Sequence, residues 1–304
     1  MKHSKKITGA SLIVLSGIIA GCGSDSGSGD AVDPIIIAGK PWTEQYILPH
    51  ILELYIEANS DYEVELEEGL GEVAILTPSL ENGDIDMYVE YTGTGLEAVL
   101  NEKAEQGESS ESVLERVREG YEERFGVTWL EPLGFENGYT MAYRSGEDLD
   151  ASTYSELAEV SSDLVFGAPH SFYEREADGY DALVEAYGFE FTSAESFDAS
   201  IMYDAVRTGE VDVIPAFTTD GRIERFELET TEDDQGFFPK YDAVPLVRQE
   251  ILDNYPELEE VMSGLAGQIS EEEMQEMNAK VDIDGEDYRA VAEEFLMGKG
   301  LIKE

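Results

Sequence analysis

An α/β fold with mostly parallel sheets is what this sequence predicts. Three observations lead there: short strand-like apolar runs alternate with helical stretches from residue 34, the same style repeats in the second half, and the tail is almost wholly helical. The run Pro34–Ala38 is short and continuously apolar, as a buried strand is. Thr43–Ala58 follows as a helix, with Thr43 as its expected N-cap and acid in the first turn. Tyr62–Glu67 alternates like a strand, and Val73–Leu80 reads as a helix despite Pro78. Ile85–Tyr91 is a strand, and Gly93–Leu100 and Ser110–Phe125 are helices.

The second half runs in the same way. Leu164–Ala168 is a strand, Asp178–Tyr187 a helix, Phe189–Thr192 a short strand, Ile201–Arg207 a helix and Val211–Ala216 a strand. Three helices are expected in the tail, at Tyr255–Ala266, Glu271–Val281 and Asp287–Gly298, where Gly298 and Gly300 suit helix ends. Two α/β lobes fit these elements, joined by strands crossing near Asn137–Tyr143 and Phe237–Val247.

Composition narrows the function. The 304 residues are 42% hydrophobic, enough to pack one or two domains rather than a disordered chain. Acid dominates, with 68 Asp and Glu against 19 Lys and Arg and a net charge of −49. Such a chain repels nucleic acid and anionic lipid headgroups, which excludes nucleic-acid binding. The acid either recruits cations or forms a solvated surface suited to high salt, where screening suppresses self-repulsion. The second reading fits better, because the acid is scattered and never takes the spaced form of a calcium loop.

The N-terminus reads as an export signal. Lys2, Lys5 and Lys6 precede an apolar run, Leu12–Ala20, too short to span a bilayer stably. Ile19-Ala20-Gly21-Cys22 resembles a lipobox, and Cys22 is the only Cys in the chain. Residues 1–21 are therefore expected to be a signal peptide for ordinary Sec-type export. Residues 22–33 would be a lipidated Cys22 and a flexible Gly/Ser/Asp linker that anchors the protein to the outer face of the cell membrane.

Catalytic motifs are scarce. The chain has no Gly-rich phosphate loop and no nucleophile elbow. Its three His (His3, His50, His170) are far apart, so no metal, cofactor or catalytic residue is expected. The informative clusters are aromatic: Glu90-Tyr91-Thr92-Gly93-Thr94-Gly95, Glu136-Asn137-Gly138-Tyr139-Thr140, Ala216-Phe217-Thr218-Thr219-Asp220 and Phe237-Phe238-Pro239-Lys240-Tyr241. Two of them follow strands, and ligands of open α/β sheets bind at strand carboxyl ends. Taken singly, each aromatic is an ordinary core residue. Together they are compatible with a cage.

The motifs Gly39-Lys-Pro-Trp-Thr-Glu-Gln45, Gly83-Asp-Ile-Asp-Met-Tyr-Val-Glu-Tyr-Thr-Gly-Thr94, Glu174-Arg175 with Asp178-Gly179, Val211–Arg222 and Tyr255-Pro-Glu-Leu with Leu265-Ala-Gly267 occur in one order along the chain. In these, from about Ile35 to Leu301, the sequence resembles the substrate-binding proteins of glycine betaine/choline/carnitine osmoprotectant ABC transporters, the ProX/OpuC type. The resemblance implies a two-lobed, periplasmic-binding-protein-like (venus flytrap) fold with the ligand site between the lobes. One lobe would be 34–136 plus 238–304 and the other 137–237.

The resemblance also implies a ligand set. Tyr91, Tyr139, Phe217 and Tyr241 would box a trimethylammonium head, Phe217 standing where many members have Tyr. Lys40, Arg175 and Thr94 would meet a carboxylate, and Asn137 would add a polar contact. Residues Glu176 and Ala177 are one more than the family's segment holds between Arg and Asp-Gly. The physics is consistent: a quaternary ammonium has no N–H to donate, so ring faces hold it best, at about 0.5–2 kcal/mol each. The expected protein is a monomer that captures glycine betaine or proline betaine and delivers it to a permease. Choline, carnitine or ectoine is the alternative ligand, and an enzyme is disfavoured.

Overall fold

The computed structural model describes residues 33–146, 149, 151–175 and 178–303. The lipobox with Cys22, the linker up to residue 32, and Glu176-Ala177 lie outside them. Among the described residues, ten strands form two five-stranded sheets: β1 (Ile35–Ala38), β2 (Val64–Glu67), β3 (Met87–Tyr91), β4 (Val127–Trp129), β5 (Tyr139–Arg144), β6 (Val165–Pro169), β7 (Ser193–Phe197), β8 (Val213–Phe217), β9 (Leu228–Thr231) and β10 (Ala243–Arg248). The first sheet runs β2-β1-β3-β10-β4 and the second β7-β6-β8-β5-β9. Helices flank both sheets, and these are the two lobes of a binding-protein fold. Among the described residues, no helix is long and apolar enough to cross a membrane.

The sheets are less parallel than expected. β1 pairs with β2 and β3 in parallel, and β6 with β7 and β8. By contrast β10 is antiparallel to β3 and β4, and β5 to β8 and β9. The reason is topological: β5 and β10 follow the two crossings, so each enters its sheet from the opposite direction to the strand it pairs with. Both were expected only as crossing segments.

Central strands are buried on both faces. In β3, Met87, Val89 and Tyr91 pack with Ile47, Leu48 and Ile51 of the helix Thr43–Asn59. Tyr88 turns the other way, toward Val117 and Tyr121 of the helix Ser110–Phe125. Each large apolar side chain so enclosed contributes roughly 1.5–3 kcal/mol.

Several elements differ from expectation for identifiable reasons. Thr43 is not the N-cap; Trp42 holds that position without a side-chain cap, and Thr43 Oγ1 donates to Asp282 instead. Phe189–Thr192 is not a strand. Phe189 and Phe191 stack with ring centroids 4.9 Å apart, so their alternation reports core anchoring, and the polar segment Ser193–Phe197 makes the edge pairing. Gly93–Leu100 is one turn, Thr92–Thr94, followed by a π-helical turn, Gly95–Val99, in which Leu100 N–H reaches Gly95 C=O at 3.1 Å. The helix expected at Tyr255–Ala266 is shortened to Leu258–Ser263, and a separate helix, Gln249–Asn254, precedes it; Pro256 disfavours helical geometry at Tyr255 and keeps the two apart.

The tail helix Glu271–Asp282 matters most for the site. It starts on a capping box: Ser270 Oγ accepts Glu273 N–H at 3.2 Å, and Glu273 Oε2 accepts Ser270 N–H at 2.9 Å. It lies against the short helix Gly221–Arg225 of the second lobe. Gly221 permits that approach, since a Cβ there would sit 2.5 Å from the backbone nitrogen of Ala279.

Candidate functional site

Both sheets deliver aromatic rings by the same device. Tyr139 opens β5 and is in register with Phe217, which closes β8, and their centroids lie 4.8 Å apart. In the other lobe Tyr91 closes β3, and Tyr241 stands two residues before its register partner Ala243 on β10. A threonine fixes each pair. Thr92 Oγ1 donates to Lys240 C=O and accepts Asp242 N–H, both at 3.0 Å. Thr218 Oγ1 donates to Glu136 C=O at 2.6 Å and accepts Gly138 N–H at 3.1 Å. Gly93 leaves room for the Tyr241 ring, whose Cε1 would lie 2.7 Å from a Cβ at that position.

The four rings meet at one cleft of about 520 Å³, within the ~300–1,000 Å³ usual for small-molecule sites. Lys40, Thr94, Asn137 and Arg175 line it too, so all eight predicted contact residues share one cavity. Phe217 is 47% exposed in this conformation, an uncovered ring at the cleft wall. A larger groove of about 650 Å³, lined by Glu97, Glu102, Glu105 and Phe237, has none of the four rings and is not the better candidate.

Burial pushes the Tyr91 hydroxyl well above the ordinary tyrosine range, and the charge of Glu44 adds to this. Burial pushes Tyr241 up to about 12, with Glu97 assisting. Both rings are therefore neutral phenols at any physiological pH.

The cations are already engaged. Lys40 is 2% exposed, with its ammonium on the fully buried Glu90 carboxylate. It also lies 5.2 Å from the Trp42 ring centroid and 5.1 Å from that of Tyr91. Arg175 Nε donates to Asp178 Oδ1 at 2.8 Å, and its Nη1 donates to the Tyr139 hydroxyl at 2.8 Å. Arg175 is about one-third exposed, whereas Lys40 is enclosed, so among the described residues lining the cleft Arg175 alone presents an accessible cation. Asn137 Nδ2 donates to Glu44 Oε1 at 3.0 Å.

Sequence reasoning missed Trp42, Glu44, Thr219 and Asn278, which also line the cleft. Trp42 and Glu44 stood inside the quoted Gly39–Gln45 motif, which was the available signal. Asn278 gave none, being 234 residues from Glu44, its hydrogen-bond partner.

Known proteins of one family are similar to this chain over most of its length. The family model for the substrate-binding domain of ABC-type glycine betaine transport systems matches residues 33–297. The carnitine transport binding protein OpuCC of Listeria monocytogenes is 35% identical over 288 residues, 94% of this chain and 93% of its own length. The ergothioneine transport permease/ergothioneine binding protein EgtU of Helicobacter pylori is 36% identical over 88% of this chain, which spans about half (48%) of that longer protein. A solved structure described as a glycine betaine/carnitine/choline ABC transporter superposes with a TM-score of 0.84 at 32% identity, covering 88% of this chain and all of its own.

Proposed function

We propose, because the chain belongs to the family of substrate-binding domains of ABC-type glycine betaine transport systems, that it captures a betaine in the ring cleft and passes it to a permease. It is thus a substrate-binding component of an osmoprotectant transporter and not an enzyme. The finer reading is glycine betaine or proline betaine as the ligand. The lobes, 34–136 with 238–304 and 137–237, close over it, with Tyr91, Tyr139, Phe217 and Tyr241 around the trimethylammonium head. The ligand carboxylate turns to Arg175, Thr94 and Asn137, with the Glu90-paired Lys40 behind them. The observation that carries this reading is the convergence of four rings from two sheets beside one accessible guanidinium.

A second reading is carnitine, favoured by the Listeria relative. It has the same cationic and anionic ends on a longer frame. Calorimetric titration in high salt, with glycine betaine, proline betaine, carnitine, ergothioneine, ectoine and choline side by side, separates these readings. Micromolar or tighter binding of glycine or proline betaine supports the first, and preference for carnitine the second. Binding of choline alone would keep the cage and discard the carboxylate contacts.

Arg175→Ala is expected to weaken glycine betaine about tenfold, since a hydrogen bond to a charged group contributes about 1.5 kcal/mol or more. Choline, with no carboxylate, should be little affected. Equal losses for the two ligands in the same titration would remove Arg175 from the carboxylate.

We place the protein outside the cytoplasm, held at the membrane by lipid on Cys22, with its acidic surface suited to a saline setting. Cys22→Ala should move it from the membrane fraction to the medium. Unchanged membrane association on fractionation would argue against the anchor.

A further inference from the structure

Glu44 lies in the first turn of the helix Thr43–Asn59, is 2% exposed and lines the ring cleft. Its Oε1 accepts the Tyr91 hydroxyl and the Asn137 amide, the latter at 3.0 Å. Its Oε2 accepts the Asn278 amide at 3.3 Å, and that same amide donates to Thr219 C=O of the second lobe at 2.8 Å. Every one of these donors is neutral, and no Lys or Arg among the described residues pairs with Glu44. Its charged neighbours around the cleft are differently placed. Lys40 is neutralised by Glu90, Arg175 by Asp178 and Asp220 by Arg222, Asp282 accepts the Thr43 hydroxyl, and Glu72, at the cleft's edge, is exposed to solvent rather than enclosed.

From this geometry we infer that Glu44 is a positioning residue and the counter-charge for the ligand's cationic head. This rests on the reading of the cleft as a betaine site. The carboxylate acts through Tyr91. By accepting its O–H it fixes the ring and enriches the π face, which strengthens a cation–π contact. It also ties the cage to Asn137 and, through Asn278, to the second lobe.

A proton linkage follows. Burial raises the pKa of Glu44 above the ordinary carboxylate value, against the lowering effect of its hydrogen bonds. A trimethylammonium group keeps its charge at every pH, and an opposite charge nearby favours the ionised carboxylate. Binding therefore expels a proton from Glu44 to the buffer over the range in which the free site is partly protonated. Affinity is highest above that raised pKa and falls as pH drops through it.

The test is calorimetric titration of the protein and its variants with glycine betaine and with choline between pH 5 and pH 8. Two buffers of different ionisation enthalpy report the protons released. The expected result is proton release on binding, and weaker binding toward acid pH, for both ligands in the unaltered protein. Glu44→Gln should bind roughly tenfold more weakly at neutral pH, with a flat pH profile and no proton release. Glu44→Asp should recover part of the affinity and keep the pH dependence.

Glu271, pushed up to about 7 by burial and then by the charge of Glu136, titrates within the pH range of this test but lines a different cavity. If Glu44→Gln retains the full pH dependence and proton release, the inference is overturned and Glu271 becomes the titrating group. Failure of the unaltered protein to bind either ligand would overturn the reading of the cleft and this inference with it.

Discussion

Lys40→Met and Glu90→Gln are each expected to destabilise the protein by about 3–5 kcal/mol, and the double variant to recover most of that loss. The pair is enclosed, at 2% and 0% exposure. Glu90 also accepts Tyr91 N–H at 2.9 Å. Removing one partner strands a charge where water cannot reach it, while removing both leaves packed neutral groups. Urea denaturation at neutral pH, arranged as a double-mutant cycle, measures the coupling. The prediction separates two roles for Lys40. A lysine held free for the ligand would lose binding on substitution and leave stability alone. A lysine that stabilises the wall of the cleft would do the reverse. Single variants as stable as the parent would return Lys40 to the ligand.

What was legible from sequence, and what was not, divides along one physical line. Tyr91 and Phe217 sit at strand ends and Tyr139 follows a glycine turn, so local pattern drew attention to their clusters, while the family resemblance singled out the four rings, Tyr241 among them. Register then supplied what pattern could not, setting Tyr139 opposite Phe217 and Tyr241 beside the pairing of β10 with β3. Glu44 lay inside the Gly39–Gln45 motif, yet it was not singled out, for a different reason. In a chain with 68 acidic residues, no single Glu stands out until its burial and its neutral partners are known. The pairing of Lys40 with Glu90 was equally hidden, since it spans 50 residues and joins a loop to a central strand. Strands β4 and β9 are three and four residues long, too short for alternation to register.

Tyr139→Ala is expected to weaken glycine betaine by about 2–3 kcal/mol, roughly 30- to 150-fold. Two functions converge on this residue. Its ring packs against two others, with centroids 4.8 Å from Phe217 and 4.9 Å from Phe238. Its hydroxyl accepts Arg175 Nη1 at 2.8 Å, and so aligns the guanidinium proposed for the ligand carboxylate. Truncation removes a ring face from the cage, leaves Phe217 without its cross-strand partner and releases Arg175 toward Asp178 alone. Tyr139→Phe divides these contributions. It keeps the ring and loses the hydrogen bond, so glycine betaine should weaken modestly and choline hardly at all. Tyr139→Ala should weaken both, because both present the same cationic head. The two variants, titrated calorimetrically with both ligands, thus test the two ends of the site independently. Loss of choline binding in Tyr139→Phe would show that the hydroxyl serves the cage. Unchanged affinity in Tyr139→Ala would place the cation elsewhere in the cleft, nearest Tyr91 and Trp42.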